Sequence, residues 1–332
     1  MEMISLLKNL ITKFNKANKK KLRAKLSVPA QMNHIPITFL EGLYFVLKSR
    51  KACQKLKENF YAEKLIFLAA IPKSASSNIG ARIARISGLK RSYASYMLEN
   101  QTSNLNPELM MDFLNGGVLK YHFQPSSENL MIMHLLGSRY FVLLRHPADV
   151  LCAAFAHLQK ELKYPDRTND CVHILKSDAL WPTALFLIDL NKFKAGTSLE
   201  EGLKYLIIEG FLYANLTFMV EWLRVRSKER SMAITYENYM LQRESFYKKI
   251  AEFLNIPFDE KLMLQLDLDQ SHDLDHVSLN EYPYGYPGKV GAWKTFFSEE
   301  IKVLYNKTID SFLNYYPKAE LLLQVYPQLK VE

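Results

Sequence analysis

Short apolar runs alternate along this chain with stretches whose apolar residues recur at helical spacing. Residues 64–70 (KLIFLAA) form a nearly continuous apolar run that stops before Pro72 and small polar residues. That pattern predicts a strand buried on both faces and leading into a loop. Residues 76–88 then carry Ile79, Ile83 and Ile86 on one helical stripe, with serines placed to cap the start and Gly88 to end it. The same logic predicts strands at 118–121, 139–144 and 232–235, and helices at 127–136, 148–162, 200–226 and 244–255. Asp149 falls in the first turn of the 148–162 helix, where the dipole favours an acid. A further helical pattern covers residues 38–58. Strands alternating with helices imply an α/β fold with a parallel sheet covered on both faces. Residues 267–292 lack periodicity and hold several Pro and Gly, a loop long enough to suggest function.

Composition narrows the class. At 332 residues and 48% hydrophobic, the chain can bury a large core without staples, which excludes a fibre or a disordered tail. The three cysteines, Cys53, Cys152 and Cys171, include no CxxC pair, so a reducing, cytoplasmic setting is expected and no metal site. No signal peptide or membrane-spanning run is read. Net charge is +9, but residues 13–25 alone hold seven Lys or Arg and no acid. Residues 1–34 are therefore taken as a basic N-terminal arm, suited at most to a weak membrane-surface contact. Residues 35–332 are taken as one domain, with no internal repeat or linker. The body is only slightly basic, and no nucleic-acid partner is expected.

The most informative segment is PKSASSN, residues 72–78, between the first strand and helix. Small residues let the backbone curl so that N–H groups and the helix N-terminus can cradle a phosphate. Lys73 adds a point charge, and Ser76 and Ser77 add hydroxyls. A Walker A loop, GxxxxGK(S/T), has its Lys at the end; here Lys stands at the start and the glycines are missing. No strand-end acid suited to Mg²⁺ follows, which disfavours a P-loop kinase.

Four later segments extend the picture: KYH at 120–122, RHPAD at 145–149, YEN at 236–238 and GKVGAWK at 288–294. In that order the five segments resemble the sulfotransferases that use 3′-phosphoadenosine 5′-phosphosulfate (PAPS). Their pattern is PKSGTTW, KTH, RxPxDxxxS, YED and RKGxxGDWK. The resemblance spans roughly residues 60–315. It implies a P-loop-like three-layer fold, a central parallel sheet flanked by helices. It implies PAPS as co-substrate, no metal, and in-line transfer of a sulfuryl group to a hydroxyl or amine. By that resemblance Lys73 stabilises the leaving phosphate, His122 is the general base and Lys120 holds the transferred group. Ser74, Ala75, Ser76 and Ser77 line the 5′-phosphate cradle. Arg145 takes the 3′-phosphate, Tyr236 contacts adenine, Ser271 lies near it, and Gly288 and Lys289 belong to the last donor-binding loop. Trp293 is read as anchoring that loop to the core.

The departures fall on the donor side. Asn78 stands where an adenine-stacking aromatic is expected, Ala153 where a 3′-phosphate Ser is expected, and Tyr286-Pro287 where Arg-Lys precedes Gly288. Ala292 replaces an Asp. Two readings therefore stay open: an active PAPS-dependent sulfotransferase, or a degenerate member that binds a nucleotide or partner without catalysis. The acceptor is left as a small molecule, carbohydrate or lipid, and the oligomeric state is not read.

Overall fold

A computed structural model describes residues 50, 51, 54, 65–71, 73–93, 105, 116–136, 138–163, 196–259, 261–264, 266 and 289–332. The basic arm, most of the 38–58 helical pattern and most of the 267–292 loop lie outside these residues, as do Ser271 and Gly288.

Five parallel strands make the sheet: β1 (Leu65–Ala70), β2 (Arg91–Tyr93), β3 (Gly117–Tyr121), β4 (Arg139–Leu144) and β5 (Ser231–Thr235), in the order β2-β3-β1-β4-β5. All six residues of β1 are buried, as the continuous apolar run requires of a strand covered on both faces. Helix α1 (Ser76–Ser87) follows β1, α2 (Ser127–Leu136) follows β3, and α3 (Pro147–Lys163), α4 (Leu199–Ile208) and α5 (Phe211–Val225) follow β4. After β5 come α6 (Tyr236–Leu241), α7 (Arg243–Leu254), α8 (Trp293–Phe296), α9 (Glu299–Tyr315) and α10 (Leu321–Val325).

The side-chain period of two divides the strands between two cores. Ile66, Leu68, Val118, Phe141 and Ile234 pack against α1 (Ile79, Ile83) and α7 (Phe246, Ile250). On the alternate positions, Phe67 meets Phe123 edge to face at 6.2 Å, and Phe123 meets Trp222 of α5 at 5.3 Å. The Trp222 indole N–H donates to the Phe123 carbonyl at 3.0 Å, so this large ring is buried without stranding its polar atom. Cys152, from α3, is a buried free thiol whose pKa burial pushes well up.

The structure corrects two expectations. The long helix read over 200–226 is two helices, bent by 53° at Glu209–Gly210. Gly210 takes φ 87°, a left-handed turn that glycine tolerates and that the apolar periodicity conceals. The serine cap expected on α1 is absent: its N-cap is Ala75, itself left-handed, with no side-chain capping bond. The Gly88 stop holds, with Gly88 left-handed and its N–H returning to the last turn. Among the described residues no single helix is long and apolar enough to cross a membrane; the α4–α5 pair passes that test only as a bent pair.

Candidate functional site

In open parallel sheets, ligands gather at the carboxyl edge where strand order reverses. Here β1 lies between β3 and β4, and its carboxyl end opens into residues 71–75. Two non-glycine residues of that turn are left-handed, Lys73 at φ 61° and Ala75 at φ 58°. Each such residue costs about 1–2 kcal/mol, and strain of this kind persists only where neighbours impose it. The neighbours are visible. Arg145, at the end of β4, donates from Nη1 to the Lys73 carbonyl at 2.6 Å, and the Ser74 hydroxyl donates to the Ile71 carbonyl at 2.5 Å. The Ser74 hydroxyl thus serves the turn itself. The result is a helix start whose first N–H groups have no side-chain cap, beside Lys73: the geometry of an anion cradle.

β3 brings the second group of residues. Lys120 is 8% exposed, and its Nζ donates to the Ser77 hydroxyl at 3.5 Å. Burial first, then the charges of Arg91 and Lys73, hold its pKa down at about 8. His122 lies two residues on, with Nδ1 2.7 Å from the Ala70 carbonyl. A carbonyl only accepts, so Nδ1 carries the proton and Nε2 carries the lone pair. Burial first, then the Lys120 charge and last that of Lys73, push the His122 pKa down to about 3, against the lift of the Ala70 bond, which exceeds the Lys73 contribution. The imidazole is therefore neutral at physiological pH, in the tautomer a base at Nε2 requires.

β4 and β5 bring the third group. Arg145 is 2% exposed and lies 4.3 Å over the Tyr236 ring, the first residue of α6. Asp149, in the first turn of α3, does more than meet the helix dipole. Its carboxylate, 1% exposed, accepts from the Gly291 N–H at 2.7 Å and the Trp293 N–H at 3.2 Å. Residues 291–293 are thus pinned to the first turn of α3. Trp293 stacks on His146 at 6.3 Å, as an anchoring role requires. Glu237 accepts from the His146 backbone N–H at 2.8 Å and from the Tyr326 hydroxyl at 3.1 Å, and burial raises its pKa.

Lys73, Lys120 and His122 are thereby electrostatic neighbours, and Arg145 with Tyr236 touches the same turn. Asn78 sits in the first turn of α1, partly buried, and Lys289 is exposed. Ala153 is 2% exposed on α3 and offers no side-chain donor. The sequence reading missed Arg91, whose Nη1 donates to the Ser77 carbonyl at 2.5 Å. A strand of three residues shows no apolar run, so β2 gave no signal that would place Arg91 here.

No family model and no curated protein matches this chain. Among solved structures, it is similar to the mouse sulfotransferase SULT7A1 complexed with PAP, at 14% identity, over 84% of this chain and 94% of that one, with a TM-score of 0.50. It is also similar to retinol dehydratase in complex with androsterone and the inactive cofactor PAP, at 15% identity, over 76% of this chain and 81% of that one, with a TM-score of 0.47. The first likeness and the parallel three-layer architecture show the sulfotransferase fold.

Proposed function

We propose that this chain transfers a sulfuryl group from PAPS to a hydroxyl or amine of an acceptor. The observation that supports the reading is the convergence of Lys73, Lys120 and a neutral His122 on one uncapped, strained helix start at the carboxyl edge of β1. PAPS, when bound, supplies an activated sulfuryl group on its 5′-phosphate.

The residues divide the work. Backbone N–H groups of Ala75, Ser76 and Ser77, with the helix dipole, hold the 5′-phosphate. Lys73 offsets the negative charge that grows on the leaving phosphate, and Lys120 holds the sulfuryl oxygens. His122 takes the acceptor proton at Nε2, while the Ala70 carbonyl keeps the ring oriented through Nδ1. A pKa near 3, set first by burial and then by the Lys120 charge, makes a weak resting base; an anion beside Lys73 and Lys120 offsets the part those charges contribute. Tyr236 and Asn78 face the nucleoside role, with Ser271, Gly288 and Lys289 as the remaining donor-side candidates.

The 5′ half of this donor set fits. The 3′ half is thinner: Ala153 has no donor, and Arg145 is enclosed with Nη1 already given to Lys73. Those two observations favour a second reading, a nucleotide- or partner-binding member of the same fold that has lost catalysis.

The test is transfer of radiolabelled sulfuryl from PAPS to a panel of phenols, alcohols, amines, glycans and lipids. The expected result is transfer by the wild type, lost in Lys73→Ala and lowered in kcat far more than in donor affinity by His122→Ala. Transfer that survives Lys73→Ala overturns the mechanism. PAP binding without transfer to any acceptor class favours the second reading.

A further inference from the structure

Arg91 is the cation at this edge that the reading above leaves without a task. It opens β2 and pairs in register with Val118 of β3, so it shares a sheet face with Lys120, two residues further along β3. Its stem crosses α1 at Gly80: a Cβ built there would lie 3.6 Å from Arg91 Cδ, 3.7 Å from Lys120 Cβ and 3.4 Å from Leu68. Gly80 is thus the point of α1 that both long cations pass. Both then end on one residue. Arg91 Nη1 donates to the Ser77 carbonyl, and Lys120 Nζ to the Ser77 hydroxyl.

We propose that Arg91 is a positioning residue for the cradle: it fixes Ser77 from the carbonyl side and so holds Lys120 in place beneath a bound phosphosulfate. The identity of that anion rests on the function proposed above. Arg91 itself lies exposed at the edge strand and acts through Ser77 and Lys120. Two like charges drawn to one residue repel, and an anion between them relieves the repulsion. The arrangement is therefore set for an anionic group and is least comfortable without one. The electrostatics agree, since Arg91 is second only to burial in lowering the Lys120 pKa. Lys73 from the turn and His122 from the end of its own strand also face Lys120. Helix α1 presents Ser77 and Gly80 there.

The test follows Lys120 directly, in the protein without ligand, by NMR titration of isotope-labelled lysine side chains, with Lys120→Arg for assignment. Arg91→Gln is expected to move the Lys120 titration up by roughly half to one pH unit, and Arg91→Lys, which keeps the charge, to restore it. A parallel calorimetric titration with PAP is expected to show about 3- to 30-fold weaker binding in Arg91→Gln. That loss should disappear when Lys120 is already Met. An unmoved titration, or an equal loss of affinity in the Lys120→Met background, overturns the proposal. If the wild type binds no PAP, the functional reading fails on its own, and the lysine titration still decides the role of Arg91.

Discussion

The two flanks of the carboxyl edge are built differently. On the β1–β3 flank, Lys73 and Ala75 are left-handed, α1 begins without a side-chain cap, and three cations crowd one turn. On the β4–β5 flank, carboxylates close the structure on itself. Asp149 holds the backbone of Gly291 and Trp293, and Glu237 holds that of His146 and the hydroxyl of Tyr326. The first flank carries left-handed backbone and neighbouring cations; the second is tied by hydrogen bonds to a segment 142 residues away. Arg145 joins them, since its guanidinium lies on Tyr236 and bonds the Lys73 carbonyl. The contrast teaches that substitutions on the first flank should cost function while sparing the fold, and that the second should behave the opposite way.

The sharpest test of that division is Lys73→Ala. It is expected to lower turnover by roughly 10²–10³-fold or more, the loss typical of one transition-state donor, with an unchanged melting temperature. Asp149→Ala should do the reverse. It leaves two backbone donors without their acceptor and is expected to cost about 3 kcal/mol in denaturant unfolding, with Asp149→Asn intermediate. If Asp149→Ala is as stable as wild type, the clamp is not what holds the C-terminal segment.

Lys120→Met sharpens the contrast further. The folded state holds the Lys120 pKa near 8 against 10.5 for an ordinary lysine, so it binds fewer protons than the unfolded chain between those values. Stability from this group is present above 10.5 and is lost as pH falls toward 8; below that, the charged Lys120 is a burden on the fold. Removing it should raise stability by about 1–3 kcal/mol at pH 7 while weakening anion binding. His122 acts in the acid range by the same rule. It stays neutral in the folded state down to about pH 3, whereas an ordinary histidine protonates near 6.5. Its contribution is full above 6.5 and declines as pH falls toward 3. His122→Gln should therefore flatten part of the acid-side fall in melting temperature. Smallest of all, Gly80→Ala adds a methyl 3.4 Å from Leu68 and removes a helix-interior glycine. It should stabilise α1 by up to about 1 kcal/mol, unless it displaces the Arg91 stem.

Much of this was legible in the chain because it is written locally. The apolar runs at 65–70 and 139–144 are buried strands, and the segments at 73–78, 120–122 and 145–149 stand at the carboxyl ends of β1, β3 and β4. Other features depend on what meets what. No property of Lys73 or Ala75 announces a left-handed backbone; it goes with a bond from Ser74 within the turn and one from Arg145 far along the chain. Asp149 reads as a helix-dipole acid, yet its partners come from the far end of the sequence. Gly210 breaks a helix inside an unbroken apolar periodicity. Arg91 lies on a three-residue strand, too short to show a pattern, and gains its meaning only from Ser77 and Lys120.

Thermal unfolding with PAP, AMP and ATP tests whether the proposed cradle beside Lys73 takes a nucleoside 3′,5′-bisphosphate in preference to other nucleotides. A ligand at a hundred times its dissociation constant stabilises by about 2.7 kcal/mol, an easily measured shift. The account predicts a shift with PAP that exceeds those with AMP and ATP and that Lys73→Ala abolishes. No shift with PAP, or a larger one with ATP, would contradict it.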